Sequence, residues 1–153
     1  MALSISAHGG VVAIGYDSAT NERGFLVKML NKTGVSSVKG TLLSPSTAVD
    51  RGVILQANEF DVIAICQEAG IADGSEMWCW QVGSICQALL KNTITAARGE
   101  LALAADTDGR LDRTTNPGSG LPATDTHFKE VGHVMQNVTG GTDQLCLISF
   151  HTN

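Results

Sequence analysis

At 153 residues the chain is long enough for one domain with a real hydrophobic core. Its net charge of −5 and pI near 5.2 argue against non-specific nucleic-acid binding and against an anionic membrane surface, both of which need clustered Lys and Arg. No run approaches the ~20 apolar residues of a membrane span, and the opening MALSISAHGGVVAIGYD has neither a basic n-region nor a long apolar h-region, so no signal peptide is expected.

Charged residues make up 16% of the chain, against about 25% in a typical soluble domain. Interface centres are depleted in charge, so this composition suits a protein whose surface is partly buried against partners. A compact, modestly polar monomer is the plainer reading of the same numbers.

Met1 to Arg23 is weakly patterned, with Gly9, Gly10 and Gly15 around the short apolar run Val11–Ile14, and reads as an extended arm or a first strand. Gly24–Asn31 alternates Phe25, Val27 and Met29 against Lys28, which predicts a strand. Lys32-Thr33-Gly34 is a turn, and Val35–Leu43 follows with a break at Lys39-Gly40 before the short strand Thr41–Leu43. Ser44–Asp50 contains Pro45 and reads as a loop, and Gly52–Ala57 as a further strand.

The centre of the chain is Asp61–Leu90. Val62–Cys66 is continuously apolar, Asp73-Gly74 marks a tight turn, Glu76–Val82 carries Trp78 and Trp80, and Gly83-Ser84 leads into Ile85–Leu90. A meander this apolar must be covered on most of its surface, and the expectation is that neighbouring subunits help. Asn92–Gly99 is a polar connector. Glu100–Ala105 has helix-favouring residues but is short, and reads as a strand. Asp106–Gly109 turns the chain, Arg113–Thr126 is a long exposed loop, and Lys129–Val138 and Asp143–His151 are a last strand pair. Many short strands with Gly-rich turns and no amphipathic helix predict an all-β fold: a small barrel or sandwich over residues 24–153, with residues 1–23 as arm or first strand.

Tests for reactive groups fail on spacing. Ser36-Ser37-Val38-Lys39 and Lys32-Thr33-Gly34 match fragments of the penicillin-recognising enzymes, but they come in the wrong order and on a turn rather than a helix. Asp106-Thr107-Asp108-Gly109 and Asp112 resemble a calcium loop, yet Arg110 holds the fifth position and Pro117 the twelfth. Asn31-Lys32-Thr33 and Asn137-Val138-Thr139 match the glycosylation pattern and are read as chance. Cys66, Cys79, Cys86 and Cys146 form no close pair and sit in apolar runs, as reduced core thiols of a protein made in a reducing cytosol. His8, His127, His133 and His151, with Asp125 and Glu130, have no fixed ligand spacing, and are read as hydrogen-bonding residues of a barrel or interface. The reading therefore assigns no catalytic residue, cofactor or metal. Trp78 and Trp80 share one strand face, as barrel core or as an intersubunit anchor.

The stretches GFLVKMLNKTGVSSVKGTLL, AGIADGSEMWCWQVG and GHVMQNVTGGTDQLCLISFHTN, spread over Gly24 to Asn153, resemble the capsid decoration or cement proteins of tailed phages and related small virion structural proteins. The resemblance rests on glycine and turn spacing, not on reactive side chains. It implies a small β-barrel, often trimeric, that binds the outside of an assembled head and clamps neighbouring major capsid protein subunits, with no catalysis. The expected partners are thus the capsid protein and further copies of the chain, and the expected place is the virion surface after synthesis in the host cytoplasm. The interface candidates are Val11, Val12, Ile14 and Tyr16, in an amino-terminal segment, Met1–Asp17, expected to contact a neighbouring chain, together with Trp78 and Trp80 of the central meander. Two other readings stand beside this one. In the first, a carbohydrate- or ligand-binding β module uses Trp78 and Trp80 if they face outward. In the second, a metal-dependent enzyme uses His127, His133 and His151.

Overall fold

The structure is a computed structural model and describes residues 4–8, 12–57, 61–115 and 124–152. Among these residues are twelve strands and one short helix. The strands are β1 (Ser4–His8), β2 (Val12–Asp17), β3 (Glu22–Asn31), β4 (Leu42–Pro45), β5 (Gly52–Leu55), β6 (Ala64–Cys66), β7 (Glu76–Trp80), β8 (Ile85–Leu89), β9 (Leu101–Ala104), β10 (Leu111–Thr114), β11 (Glu130–Val134) and β12 (Leu145–Phe150). The helix α1 is Thr124–Lys129. The protein is all-β.

The ten-residue strand β3 organises the sheet. Its first half pairs with β2 from Val12↔Val27 to Asp17↔Glu22, and its second half pairs on the opposite edge with β7, from Leu26↔Trp80 to Leu30↔Glu76. Beyond β2, Leu30 and Asn31 pair in parallel with Gly52 and Val53 of β5. The order β3-β5-β4-β6-β7 then returns to β3 and closes a ring of five strands, which leaves those strands no free edge. From Arg23↔Ile85 the sheet continues outward through β8, β12, β11, β9 and β10.

Side-chain alternation divides the ring strands between two cores. Leu43, Val53, Ala64, Cys66, Met77 and Cys79 point into the ring, with Met29 packed against them. Their neighbours Leu26, Leu42, Ile65 and Trp80 point outward into a larger core shared with Cys86, Ala88, Cys146, Ile148 and Phe150 of β8 and β12. Both faces of β6 are buried, and β7 is buried from Met77 to Trp80 except for half-buried Trp78, which is why these stretches are apolar. Among the described residues much of the central meander is covered from within the chain, by β9, β11 and β12 packed against β8 and the outer face of the ring.

Three expectations change. The segment read as a loop from Ser44 begins inside β4, which extends to Pro45, paired with Val53. The long loop expected at 113–126 is bounded by β10 and α1; its residues 116–123 lie outside the described residues. The amino-terminal segment is a strand pair: β1 runs antiparallel to β2 from Ser4↔Tyr16 to His8↔Val12.

Polar residues that fold inside are fully partnered where they fix loops. Asn31 is buried; its Nδ2 donates to the carbonyls of Val35 (2.9 Å) and Ile71 (2.8 Å), and its Oδ1 accepts from Thr33. Such an asparagine has no amide to offer a glycan in the folded state. Glu22, also buried, accepts from Lys39 Nζ at 2.5 Å, from Thr20 Oγ1 at 2.8 Å and from the Gln87 amide at 3.0 Å. It ties the turn end of the β2–β3 hairpin to β8.

Candidate functional site

The feature of the surface that stands out is the outer face of the β2–β3 hairpin. In β2, Ala13 and Gly15 point into the larger core, so Val12, Ile14 and Tyr16 point out. They are 47%, 60% and 51% exposed. The register sets Ile14 directly opposite Phe25, which is 54% exposed, and Val12 opposite Val27. Cross-strand partners lie about 5 Å apart at Cβ, so these side chains form one continuous apolar row. The β7–β8 turn, with exposed Val82, passes beside it: a Cβ placed on Gly83 would lie 4.0 Å from the Phe25 ring.

Gly15 explains how the hairpin lies so close to the body. A Cβ there would come within 2.7 Å of Leu26 Cδ1 and 2.8 Å of the Trp80 ring, so the bare backbone rests directly on the core. The same strand therefore buries one face and leaves the other, equally apolar face uncovered. This row is the candidate contact surface on the described part of the chain.

Of the sequence-derived interface candidates, Val12, Ile14 and Tyr16 come together in this row, and Val11 lies outside the described residues. Trp78 and Trp80 do share a face, outside the ring, but part company in burial. Trp80 is 0% exposed in the larger core and cannot reach a partner in this fold. Trp78 is half-buried against the same core, with Lys28 Nζ 5.4 Å from its ring centroid. Phe25 is the member of the row that sequence reading left unmarked. Its signal was the alternation of β3 continued against an apolar β2, which becomes visible only once the register is known.

A second cluster joins Glu130, His133 and His151. The ring nitrogens His133 Nδ1 and His151 Nε2 are 2.9 Å apart, and Glu130 Oε1 lies 3.8 Å from the first and 3.4 Å from the second. Burial holds the His151 pKa below its ordinary value; Glu130 opposes that shift and His133 adds to it. His127 is elsewhere, exposed on α1 with its ring beside Phe128.

Other candidate sites close. Ser36 of the apparent S-x-x-K is exposed on irregular chain, and Lys39 is held by Glu22. Asp106 pairs with Lys91 at 2.5 Å. Burial pushes the thiols up, Cys66 and Cys146 to about 11 and Cys79 and Cys86 further, so none is a nucleophile at neutral pH. The apolar cavity between Val35, Val38, Leu43, Cys66 and Met77 holds about 30 Å³, room for one water rather than a ligand. A polar groove of about 340 Å³ between the β2–β3 turn and β12 is lined by Thr20, Asn21, Gln87, Arg98, Gln136 and Leu147, without a carboxylate, histidine or thiol.

No protein-family model matches the chain, and no curated protein is significantly similar to it.

Proposed function

We propose that the chain is a non-enzymatic virion structural protein: a capsid decoration protein that binds the outside of a tailed-phage head and stabilises contacts between capsid subunits. The observation that carries this reading is the uncovered apolar row Val12, Ile14, Tyr16 and Phe25 on a hairpin whose other face is locked into the core. A protein that acts by adding contacts needs a rigid body and an apolar face to lay against its partner. The five-stranded ring supplies the first and the hairpin the second. The resemblance in glycine and turn spacing and the low charge agree with it. On this reading the protein is a homotrimer, is made in the host cytoplasm and ends on the capsid surface. Its partners are the major capsid protein and its own copies.

The ligand-binding alternative rested on two outward tryptophans; with Trp80 buried, that aromatic pair is not available. The test is direct. Purified protein is run on size exclusion with light scattering, then mixed with assembled tailed-phage heads that lack it and pelleted. Trimers that saturate the heads at a fixed stoichiometry are expected. A monomer that stays in the supernatant at every concentration would refute the proposal.

A further inference from the structure

Glu130 and His133 are three apart, so a regular strand would send them to opposite faces. The strand is not regular. Glu130 pairs with Leu103 and Gly132 with the adjacent Ala102, so Val131 is an extra residue, a β-bulge. The bulge returns His133 to the face of Glu130. His133 pairs with Ser149 of β12, and two residues further His151 stands on the same face. Gly132 is what permits the approach: its φ is +151°, and a Cβ there would sit 2.0 Å from the Ser149 carbonyl oxygen. Three donor atoms from two strands are thereby held within 4.8 Å of one another.

The geometry points to a transition-metal site of the zinc class, formed by Glu130 Oε1, His133 Nδ1 and His151 Nε2, that pins the carboxy-terminal end of β12 to β11. With the separations of 2.9, 3.4 and 3.8 Å, one point lies about 2.0 Å from all three atoms, which is the bond length zinc makes to imidazole nitrogen and carboxylate oxygen. The two ring nitrogens, 2.9 Å apart, can share either an N–H hydrogen or a bound cation. Two imidazoles and one carboxylate suit zinc, nickel or copper(II) far better than the oxygen-seeking calcium or magnesium. Glu130 is nearly buried while both histidines are more than a third exposed at the side chain, so an ion can enter from solvent and complete its shell with water. The role assigned is to hold the two strands together at that end of the sheet. The site is independent of the apolar row and of head binding.

The test uses the untagged full chain, stripped with a chelator. Calorimetric titration with zinc chloride should give one ion per chain with a micromolar or tighter Kd, and excess zinc should raise the Tm by several degrees. His133→Gln, His151→Gln and Glu130→Gln should each weaken binding by about tenfold or more, with circular dichroism confirming the fold. Cobalt(II) should give a visible spectrum without a thiolate charge-transfer band, which separates this site from the four cysteines. Lack of saturable 1:1 binding by the native chain would overturn the assignment. So would a thiolate band, or binding undiminished in the His133→Gln/His151→Gln double variant.

Discussion

Lys39→Ala removes the only lysine that reaches the buried carboxylate of Glu22 among the described ion pairs. Glu22 is 0% exposed, and the remaining donors, the Thr20 hydroxyl and the Gln87 amide, are neutral. Removing one partner of a buried ion pair costs about 3–5 kcal/mol, because the other charge stays desolvated and uncompensated. The Lys39 side chain is 25% exposed, so water can enter the vacated space, and the lower end of that range applies. For a domain of this length, 1 kcal/mol moves Tm by roughly 2–4 °C, so a loss of about 3 kcal/mol predicts a fall of roughly 6–12 °C. The assay is thermal unfolding followed by circular dichroism, at low and at molar salt. Neutralising both partners, Glu22→Gln with Lys39→Met, should recover most of the loss, since no charge then lies stranded. A Lys39→Ala protein melting within a degree of the native one would refute the reasoning, as would a loss that salt abolishes. Either result would make the contact an ordinary screened surface pair.

Three further predictions follow from the same structure. Ile14→Thr with Phe25→Thr keeps β-propensity while removing apolar area that is still more than half exposed; each side chain would contribute about 1 kcal/mol on docking, so head affinity should fall roughly 30-fold, read by pelleting, with Tm nearly unchanged. Unchanged affinity would take this face out of the interface. Gly15→Ala pushes a methyl group into Leu26 and Trp80 and should cost about 1–3 kcal/mol in denaturant unfolding; a neutral result would mean the hairpin is not seated on the core. Cys66 and Cys146, raised from 9.0 to about 11, should resist an aromatic disulfide reagent at pH 8 in the folded protein, whereas all four thiols react after unfolding. Because burial raises these values, the stability they contribute is complete below about pH 9 and is lost as pH rises toward 11. Fast reaction of either thiol in the native state would contradict their placement.

The strands with clear alternation or continuous apolar runs, β3, β5 to β9 and β12, were legible in the sequence, because burial on one or both faces writes a period of two or none at all. β10 was not, since Leu-Asp-Arg-Thr has a single apolar residue to mark it. Nor was α1, whose six residues are fewer than two helical turns and carry no periodicity. The second core was hidden for a different reason. That β8 to β12 fold back over the outer face of the ring is a matter of topology, which local pattern does not carry. The apolar row at Val12, Ile14 and Tyr16 was partly visible as an aperiodic apolar segment, but its partner Phe25 depended on register. Glu130, His133 and His151 were visible in the sequence as candidate polar residues, but the bulge at Val131 that turns Glu130 and His133 to one face was not; its mark is Gly132, an isolated glycine inside a strand.

The central claim is that the uncovered face of the amino-terminal hairpin is a seat for a capsid subunit. Electron cryomicroscopy of heads with and without the purified protein tests this most directly. The account predicts added density on the outer surface at defined symmetry positions, with the β2–β3 face against the shell. Heads that carry no added density at saturating protein, or density with that face turned to solvent, would contradict it.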